Sequence, residues 1–387
     1  MKFLKKHGRK IFWVILALIL FLIISPQGRA FYKTLIILPE FIPNSPVKTL
    51  NLLTQKPQVI EVEFQSGGRT IDADLWLPQS KSNHPAVVLN LGVDIDRKDP
   101  RTQELADIFA RSGITTLVPN IPSLGRRRVL KEAKDDLIAS FEYLNSLPNI
   151  KSNKIGFVGF CASGGLVLLA AEDDTVSDQV AFIVSVNPYY DLASLYKNIT
   201  LRQIEDDGQI QDWNPNFKTV EIYNRETINL LESDADREIL NNHLALIGQD
   251  KLGKGGFLEL SGQNLNKLSP EAKFTYDGLT NTDPQKTDFY LENATNSQKN
   301  FLQELSPAAK ISSLKAKTFI LMDKNNIYIP YTEAQLLSEA LAGRDHLFVE
   351  THILPAGDLA DKLPAKDYLG ESLKIFRFVY SVLLEIS

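Results

Sequence analysis

The stretch Ile155-Gly156-Phe157-Val158-Gly159-Phe160-Cys161-Ala162-Ser163-Gly164-Gly165 passes from an apolar segment into a run of small residues. The apolar run from Ile155 to Phe160 is typical of a buried strand, and the run from Leu166 to Ala171 is typical of a buried helix. Only five residues, four of them small, separate the two runs. The stretch therefore predicts a strand, a sharp turn and a helix in direct succession.

Apolar strands alternate with amphipathic helices on both sides of this stretch. We predict a hairpin and then further strands at 59–64, 71–77, 86–91, 114–119, 182–186, 318–322 and 347–354. We predict helices at 102–112, 129–147, 331–342 and 369–384. This alternation is the signature of an α/β fold with a mostly parallel sheet covered by helices on both faces.

The alternation stops in the middle of the chain and resumes near the end. Residues 192–310 are polar and rich in Asn, Asp, Gln and Lys, and we interpret them as an inserted helical cap. The core then consists of a first part, residues 58–191, and a second part, residues 311–387. Residues 31–57 are apolar and punctuated by proline, and we interpret them as a connector.

Composition excludes several classes of protein. The 387 residues carry a formal net charge of −5, which argues against nucleic acid as a partner, since that would need clustered Lys and Arg. One cysteine permits no intramolecular disulfide. No metal-ligand spacing is present, so we expect no metal and no cofactor. We expect a small acyl compound as the substrate or ligand.

Residues 1–30 form a targeting segment rather than part of the fold. A basic stretch is followed by fourteen apolar residues, Ile11 to Ile24, and then by Ser25-Pro26. We expect an uncleaved single-pass membrane anchor with a cytoplasmic N-terminus and the body outside, by the distribution of Lys and Arg. The alternative is a signal peptide cleaved near Ala30, because fourteen residues span only about 21 Å.

The hexapeptide Gly159-Phe160-Cys161-Ala162-Ser163-Gly164 resembles the nucleophile elbow of the α/β-hydrolase superfamily, in the dienelactone-hydrolase-like form that carries cysteine. The resemblance implies an α/β-hydrolase fold with Cys161 as nucleophile. It also places an oxyanion site at Gly92, Val93 and Ala162. A second register of the motif makes Ser163 the alternative nucleophile.

The resemblance also shows a degenerate catalytic triad. Alignment on Ile329-Pro330 puts Asn326 at the position of the family's Asp, and Asp323 is the alternative acid. The family's histidine follows the last strand, where this chain has Asp358 or Leu359. We take Asp358 as the residue that would handle protons in place of histidine.

Two histidines are alternative bases. His352 is predicted to lie within the last strand and to pack on the sheet, whereas His243 lies in the insert and would have to reach down from it.

Two functions remain open from the sequence. The first is hydrolysis of esters, lactones or thioesters by the Cys161 thiolate, which we expect to have a lowered pKa at the helix N-terminus. The second is an inactive pseudo-hydrolase that serves as a ligand-binding or scaffolding module.

Overall fold

The computed structural model describes residues 13, 16–17, 20–41, 48–80, 82–244, 254–354 and 365–387. Its strands are β1 (Gln58–Ser66), β2 (Arg69–Leu77), β3 (His84–Asn90), β4 (Thr115–Pro119), β5 (Ile150–Phe160), β6 (Phe182–Val186), β7 (Gln203–Asp206), β8 (Gln209–Asp212), β9 (Lys317–Asp323) and β10 (His346–Thr351). Eight of them form one sheet in the order β1-β2-β4-β3-β5-β6-β9-β10, and β7 pairs only with β8.

Most of the sheet is parallel. Only the β1–β2 and β2–β4 pairs are antiparallel, while β3, β4, β5, β6, β9 and β10 run in one direction. The carboxyl ends of the parallel strands therefore lie along one side of the sheet, which we call the carboxyl edge. The last residues of its central and C-terminal strands are Asn90, Phe160, Val186, Asp323 and Thr351.

The helices are α1 (Pro26–Ile37), α2 (Thr49–Leu53), α3 (Pro100–Arg111), α4 (Pro122–Gly125), α5 (Lys131–Ser146), α6 (Ala162–Ala171), α7 (Leu192–Leu201), α8 (Phe217–Asn229), α9 (Asp234–His243), α10 (Gly262–Lys267), α11 (Pro270–Leu279), α12 (Pro284–Glu292), α13 (Asn296–Glu304), α14 (Tyr331–Ala340) and α15 (Ala365–Ile386). Successive residues of β3 show how they cover the sheet. Val88 belongs to the hydrophobic cluster that contains α5, α6 and helices of the insert, whereas Val87 and Leu89 belong to the cluster that contains α1, α3 and α15. Both faces of the strands are buried, which explains their continuous apolar sequences.

The predicted α/β fold with a mostly parallel sheet between helices is thus confirmed. Several boundaries differ from the prediction. β5 begins at Ile150, five residues early, and β10 ends at Thr351, three residues before the predicted end. Pairing of β5 with β3 already at Ile150↔His84 explains the first difference, because a strand partner extends the strand beyond its apolar run.

The insert is helical but also contains a hairpin that the sequence did not predict. Seven α-helices, α7 to α13, lie in the described parts of residues 192–310. The β7–β8 hairpin turns at Asp207-Gly208, where both residues have positive φ. Its strands are polar and mostly exposed, so they lack the apolar alternation by which strands are recognised.

The N-terminal region folds onto the body. Helix α1 runs through residue 30, where the sequence interpretation ended the targeting segment, and it buries Ala30 and Thr34 against the body. The Phe31 ring contacts Phe376 of α15 edge to face, with a centroid distance of 5.6 Å. Among the described residues, none of the helices combines the length and the apolar character needed to cross a lipid bilayer.

Candidate active site

Cys161 occupies the turn between β5 and α6. Its backbone has φ 50° and ψ −122°, a conformation that a residue other than glycine adopts only when its surroundings enforce it. The Cys161 N–H donates to the Val186 carbonyl at 2.9 Å, and the Cys161 carbonyl accepts from the Gly164 N–H at 2.8 Å. These two bonds fix the turn, and they place the side chain at the carboxyl edge.

Small residues are required around the turn because strand and helix approach closely. A Cβ atom on Gly159 would collide with the backbone carbonyl of Ser163. A Cβ atom on Gly164 would lie 2.9 Å from the Ser185 hydroxyl of β6. The pattern of small residues therefore has a direct steric cause.

The predicted oxyanion loop lies against the turn. Gly92, two residues after β3, has φ +102°, and a Cβ atom there would be 2.9 Å from the Phe160 carbonyl and 3.8 Å from the Cys161 Cβ. No hydrogen bond from the N–H groups of Val93 or Ala162 is found among the described residues. The two donors assigned to the oxyanion thus lie in segments that meet beside Cys161.

Asn90 links the loop to the turn, and no sequence pattern predicts this role. Its side-chain oxygen accepts from the Gly92 N–H at 2.9 Å and also from the Ser163 hydroxyl. Ser163 is completely buried in the first turn of α6. The alternative nucleophile therefore lies in the packing between helix and sheet, with its hydroxyl committed to Asn90.

Asn326 is a turn residue in the loop after β9. Its side-chain oxygen accepts from the N–H groups of Tyr328 at 2.8 Å and Ile329 at 2.9 Å, and only 2% of the residue is exposed. Orienting an imidazole would need that oxygen as an acceptor. In this structure two backbone donors already occupy that oxygen.

Asp323 is similarly committed to the backbone. Its two carboxylate oxygens accept from the N–H groups of Asn325 at 2.7 Å and Leu354 at 2.8 Å. Burial raises the pKa of this carboxyl, while the two N–H donors and nearby His352 act in the opposite direction. Asp323 therefore ties the loop after β9 to the chain leaving β10, which is a structural role.

The two candidate histidines lie in different places. His352 is the first residue beyond β10, so the prediction that it lies within the strand is wrong, and the reason is the early end of β10 at Thr351. It lies at the carboxyl edge, and its backbone N–H donates to the Glu371 carboxylate at 3.0 Å. His243 has its ring nitrogens within hydrogen-bond distance of Ile239 and Asn264, both in the insert. Asp358 lies outside the described residues.

The thiol of Cys161 differs from its sequence-based expectation. Its side chain is partly accessible, yet burial raises its pKa from the usual 9.0 to about 11. The helix N-terminus favours the thiolate, whereas loss of solvent around the sulfur favours the neutral thiol. The expected lowering of the pKa is therefore wrong.

Charged residues join the insert to the oxyanion loop. Asp94, directly after Val93, forms ion pairs at 3.0 Å with Lys218 of α8 and with Arg127. Arg128 pairs with Glu226 of α8 through two bonds of 2.8 and 3.0 Å. We call these five residues the latch, and they hold α8 beside the carboxyl edge.

The insert also contacts the loop after β9. The indole N–H of Trp213 donates to the Asn326 carbonyl at 3.1 Å, and the Asn216 N–H donates to the Ile327 carbonyl at 2.7 Å. The insert thus meets two of the loops at the carboxyl edge.

Two buried carboxyl groups were missed by sequence reasoning, since each looks like an ordinary helix Glu. Glu333 in α14 accepts from the N–H groups of Tyr190 and Asp191, both at 2.9 Å, where the chain enters the insert. Burial raises the pKa of Glu333 to about 7. Glu172 follows α6 and is 3% exposed, and burial raises its pKa to about 9.

The described residues offer no group of three or more His, Cys, Asp or Glu side chains that could hold a metal ion. What the carboxyl edge does offer is a thiol on a strained turn, beside two backbone donors, at the end of a parallel α/β sheet. This combination is that of the α/β-hydrolase class.

Comparison with known proteins gives the same class. Residues 104–198, which include most of α3 and all of β5, the turn and α6, match the Dienelactone hydrolase family. The chain is therefore an α/β-hydrolase-like protein that resembles the dienelactone hydrolases.

Two curated relatives match parts of the chain. "Polyketide transferase claH" of Penicillium crustosum is 32% identical over 143 residues, which is 34% of this chain and 45% of that protein. "Putative carboxymethylenebutenolidase" of Synechocystis sp. is 36% identical over 59 residues, 15% of this chain and 24% of that protein. The chain thus spans less than half of the length of these two relatives.

Solved structures also overlap with the chain. An esterase from the hyperthermophilic archaeon Pyrobaculum calidifontis is 12% identical with a TM-score of 0.47, covering 93% of this chain and 95% of that one. The acylaminoacyl peptidase of Pyrococcus horikoshii is 11% identical with a TM-score of 0.49, covering 87% and 42%.

Proposed function

We propose that this protein hydrolyses esters, lactones or thioesters of small molecules, with Cys161 as the nucleophile. The observation that carries the proposal is the contact between the turn and the oxyanion loop. A Cβ atom on Gly92 would lie 3.8 Å from the Cys161 Cβ. A carbonyl carbon near the sulfur would therefore have its oxygen close to the N–H groups of Val93 and Ala162.

The reaction has two steps. The sulfur forms a bond to the acyl carbon while the thiol proton passes to solvent, and the tetrahedral oxyanion accepts hydrogen bonds from the two N–H groups. Collapse expels the leaving group and gives a thioester on Cys161. Water then attacks the thioester, which releases the acid and restores the thiol.

We expect the second step to be slow. The Asn326 oxygen is occupied by two backbone donors, and among the described residues no titratable partner contributes to the pKa of the Cys161 thiol. A good leaving group departs without an acid, but water needs a base to attack a thioester efficiently. Aryl esters and aryl thioesters should therefore acylate Cys161 and then turn over slowly.

The test is an acylation burst with an aryl acetate, followed by mass spectrometry of the intact protein and its peptides. We expect a stoichiometric burst with one acetyl group on Cys161. Cys161→Ala should abolish both, whereas Ser163→Ala should retain them in its folded fraction. A burst that survives Cys161→Ala, or the lack of any acetyl group on Cys161 across several ester classes, would contradict the proposal.

The second candidate is a binding or scaffolding module on a hydrolase fold. It is favoured by the raised pKa of Cys161, which leaves little thiolate at neutral pH. Under this alternative, small acyl compounds bind without covalent change. Calorimetric binding that is unaffected by Cys161→Ala, together with no acylation, would favour it.

We propose further that residues 11–24 anchor the chain in a membrane with the body on the extracytoplasmic side. Retention of the segment is supported by α1, because cleavage after Ala30 would remove the first residues of the helix, including the buried Gly28 and Ala30. Secretion after cleavage near Ala30 is the alternative. N-terminal sequencing of the mature protein and protease treatment of intact cells test both points.

A further inference from the structure

Exposed apolar side chains are concentrated in one region. Of the eighteen large apolar residues that are exposed in the described part of the chain, thirteen lie between residues 13 and 53 or between 368 and 373. Contiguous patches of this kind mark an interaction surface, whereas scattered exposed apolar residues do not.

The helices that carry these side chains pack on one another. Helix α1 packs against both α2 and α15. We define the apolar face as the exposed residues of these three helices, whose individual exposures range from 39% to 77%: Phe31, Tyr32, Leu35, Leu52, Leu53, Tyr368, Leu369 and Leu373.

The apolar face continues into the apolar N-terminal run. Leu20, Phe21, Ile23 and Ile24 of that run are themselves exposed. The Ser25 side chain caps α1 by accepting from the Gly28 N–H at 2.9 Å, so the run passes directly into the helix without a linker.

Contact at Gly28 holds the run and the helix together. A Cβ atom on Gly28 would collide with the Phe21 carbonyl and would lie 2.7 Å from the Leu22 Cα. Because α1 is in turn packed on α15, the run is joined to the body closely. A bilayer that takes up the run must therefore lie next to the apolar face.

The charges beside the apolar face suit an anionic lipid surface. Helix α1 contains no acidic residue, and its Arg29 is partly exposed. The Lys33 ammonium instead donates to the Ser112 carbonyl of the body at 2.7 Å. Tyr32 and Phe31 add aromatic side chains of the kind that favour the membrane interface. Anionic headgroups attract such basic residues within about one Debye length.

We propose that the apolar face docks on the surface of an anionic bilayer. The body then lies against the membrane in a fixed orientation and does not reorient freely about a flexible linker. The proposal rests on the membrane anchoring proposed above and specifies the orientation of the anchored body. Neither hydrolysis nor the role of Cys161 enters into it.

The test uses the full chain with single reporter cysteines in a Cys161→Ala background. Leu35→Cys and Leu373→Cys place a fluorescent nitrobenzoxadiazole label on the apolar face. Ile210→Cys, at a position that is 68% exposed in the β7–β8 hairpin of the insert, is the matched control. Each labelled protein is reconstituted in vesicles of phosphatidylcholine and phosphatidylglycerol, with and without a nitroxide-bearing lipid.

Docking predicts a several-fold rise in emission and strong nitroxide quenching at positions 35 and 373, with neither at position 210. Replacing the anionic lipid by phosphatidylcholine alone should weaken the quenching. If the protein floats with the vesicles while the face labels remain unquenched, docking is overturned and the anchor stands.

Failure to float with the vesicles would overturn the anchor and the docking together. Shielding of both face labels without vesicles, together with a dimer in light scattering, would show that a second copy covers the face and would also overturn docking.

Discussion

The two halves of the carboxyl edge differ in how their polar groups are used. At the ends of β3 and β5, Cys161 lies on a strained turn, and the N–H groups of Val93 and Ala162 take no partner among the described residues. At the ends of β9 and β10, the oxygens of Asn326 and Asp323 accept hydrogen bonds from backbone donors.

The difference shows which of these features is enforced by packing. The turn at Cys161 is required sterically by the approach of β5 and α6, so the packing itself preserves it. The polar residues after β9 are not enforced by close packing in this way. Asp323 and Asn326 accept hydrogen bonds from backbone N–H groups and so stabilise loops. Packing alone is therefore enough to maintain the turn at Cys161, and the presence of the turn is no proof of turnover.

The largest effect that we expect concerns the thiol. With a pKa of about 11, alkylation of Cys161 by iodoacetamide should accelerate about a thousandfold from pH 7 to pH 10, because the thiolate fraction rises tenfold per unit below the pKa. In a Cys161→Ala background, the exposed thiol of Ile210→Cys should gain only about a hundredfold and level off near pH 10, since we expect its pKa to be the usual 9.0. Stopped-time labelling measures both. If the alkylation rate of Cys161 already reached a plateau below pH 9, its pKa would not be raised, and this prediction would be contradicted.

The second effect concerns Glu333. Its folded pKa of about 7 lies above the usual 4.5, so its contribution to stability is fully present below pH 4.5 and is lost as pH rises through 7. The loss amounts to about 3 kcal/mol, and Glu333→Gln should eliminate it. Urea denaturation at pH 5 and pH 8 measures the difference between wild type and variant. Exposed Glu339 of the same helix is the matched control, and an equal pH slope in wild type and Glu333→Gln would refute the effect.

The third effect concerns the oxyanion loop. Gly92→Ala should destabilise the fold by about 2 kcal/mol, because the new methyl group approaches the Phe160 carbonyl at 2.9 Å and φ is +102°. Gly262→Ala is the control, since a Cβ there meets open space and φ is not positive. Equal urea midpoints for the two variants would mean that a methyl group at position 92 causes no steric conflict with the Phe160 carbonyl.

The smallest effect concerns the latch. Lys218→Ala removes one of the two cations that Asp94 contacts, and we expect a loss of about 0.5 kcal/mol at low salt, because the pair is partly exposed. High salt should erase the loss by screening. Urea denaturation at two salt concentrations checks this. The control is Lys286→Ala, whose ion pair joins α12 only to Asp283, the N-cap of the same helix. A loss that is unaffected by salt would point to packing rather than charge.

Sequence reasoning succeeded where local chemistry decides the structure. The apolar runs predict the parallel strands because both of their faces are buried. The small residues around Cys161 predict the turn because no larger side chain fits. Both signals lie within a few residues of the feature that they specify.

Sequence reasoning failed where distant partners decide. The pairing of Asp94 with Lys218 joins residues 124 positions apart, and neither residue has a local signal. The pKa of Cys161 depends on how far neighbouring elements exclude water from the sulfur. His352 was misplaced because the end of β10 is set by its pairing with β9, whose last register pair is Thr351↔Asp323.

Buried Glu172 changes the number of protons that the protein binds when it folds. With a pKa of about 9, its carboxyl is protonated at pH 7 in the folded state, whereas the usual value of 4.5 leaves it ionised in the unfolded chain. Folding at neutral pH therefore takes up about one proton at this residue. The formal charge of −5 counts every carboxyl as ionised, so neutral Glu172 alone brings the folded chain to −5 + 1 = −4. The heat of unfolding should accordingly vary with the ionisation enthalpy of the buffer.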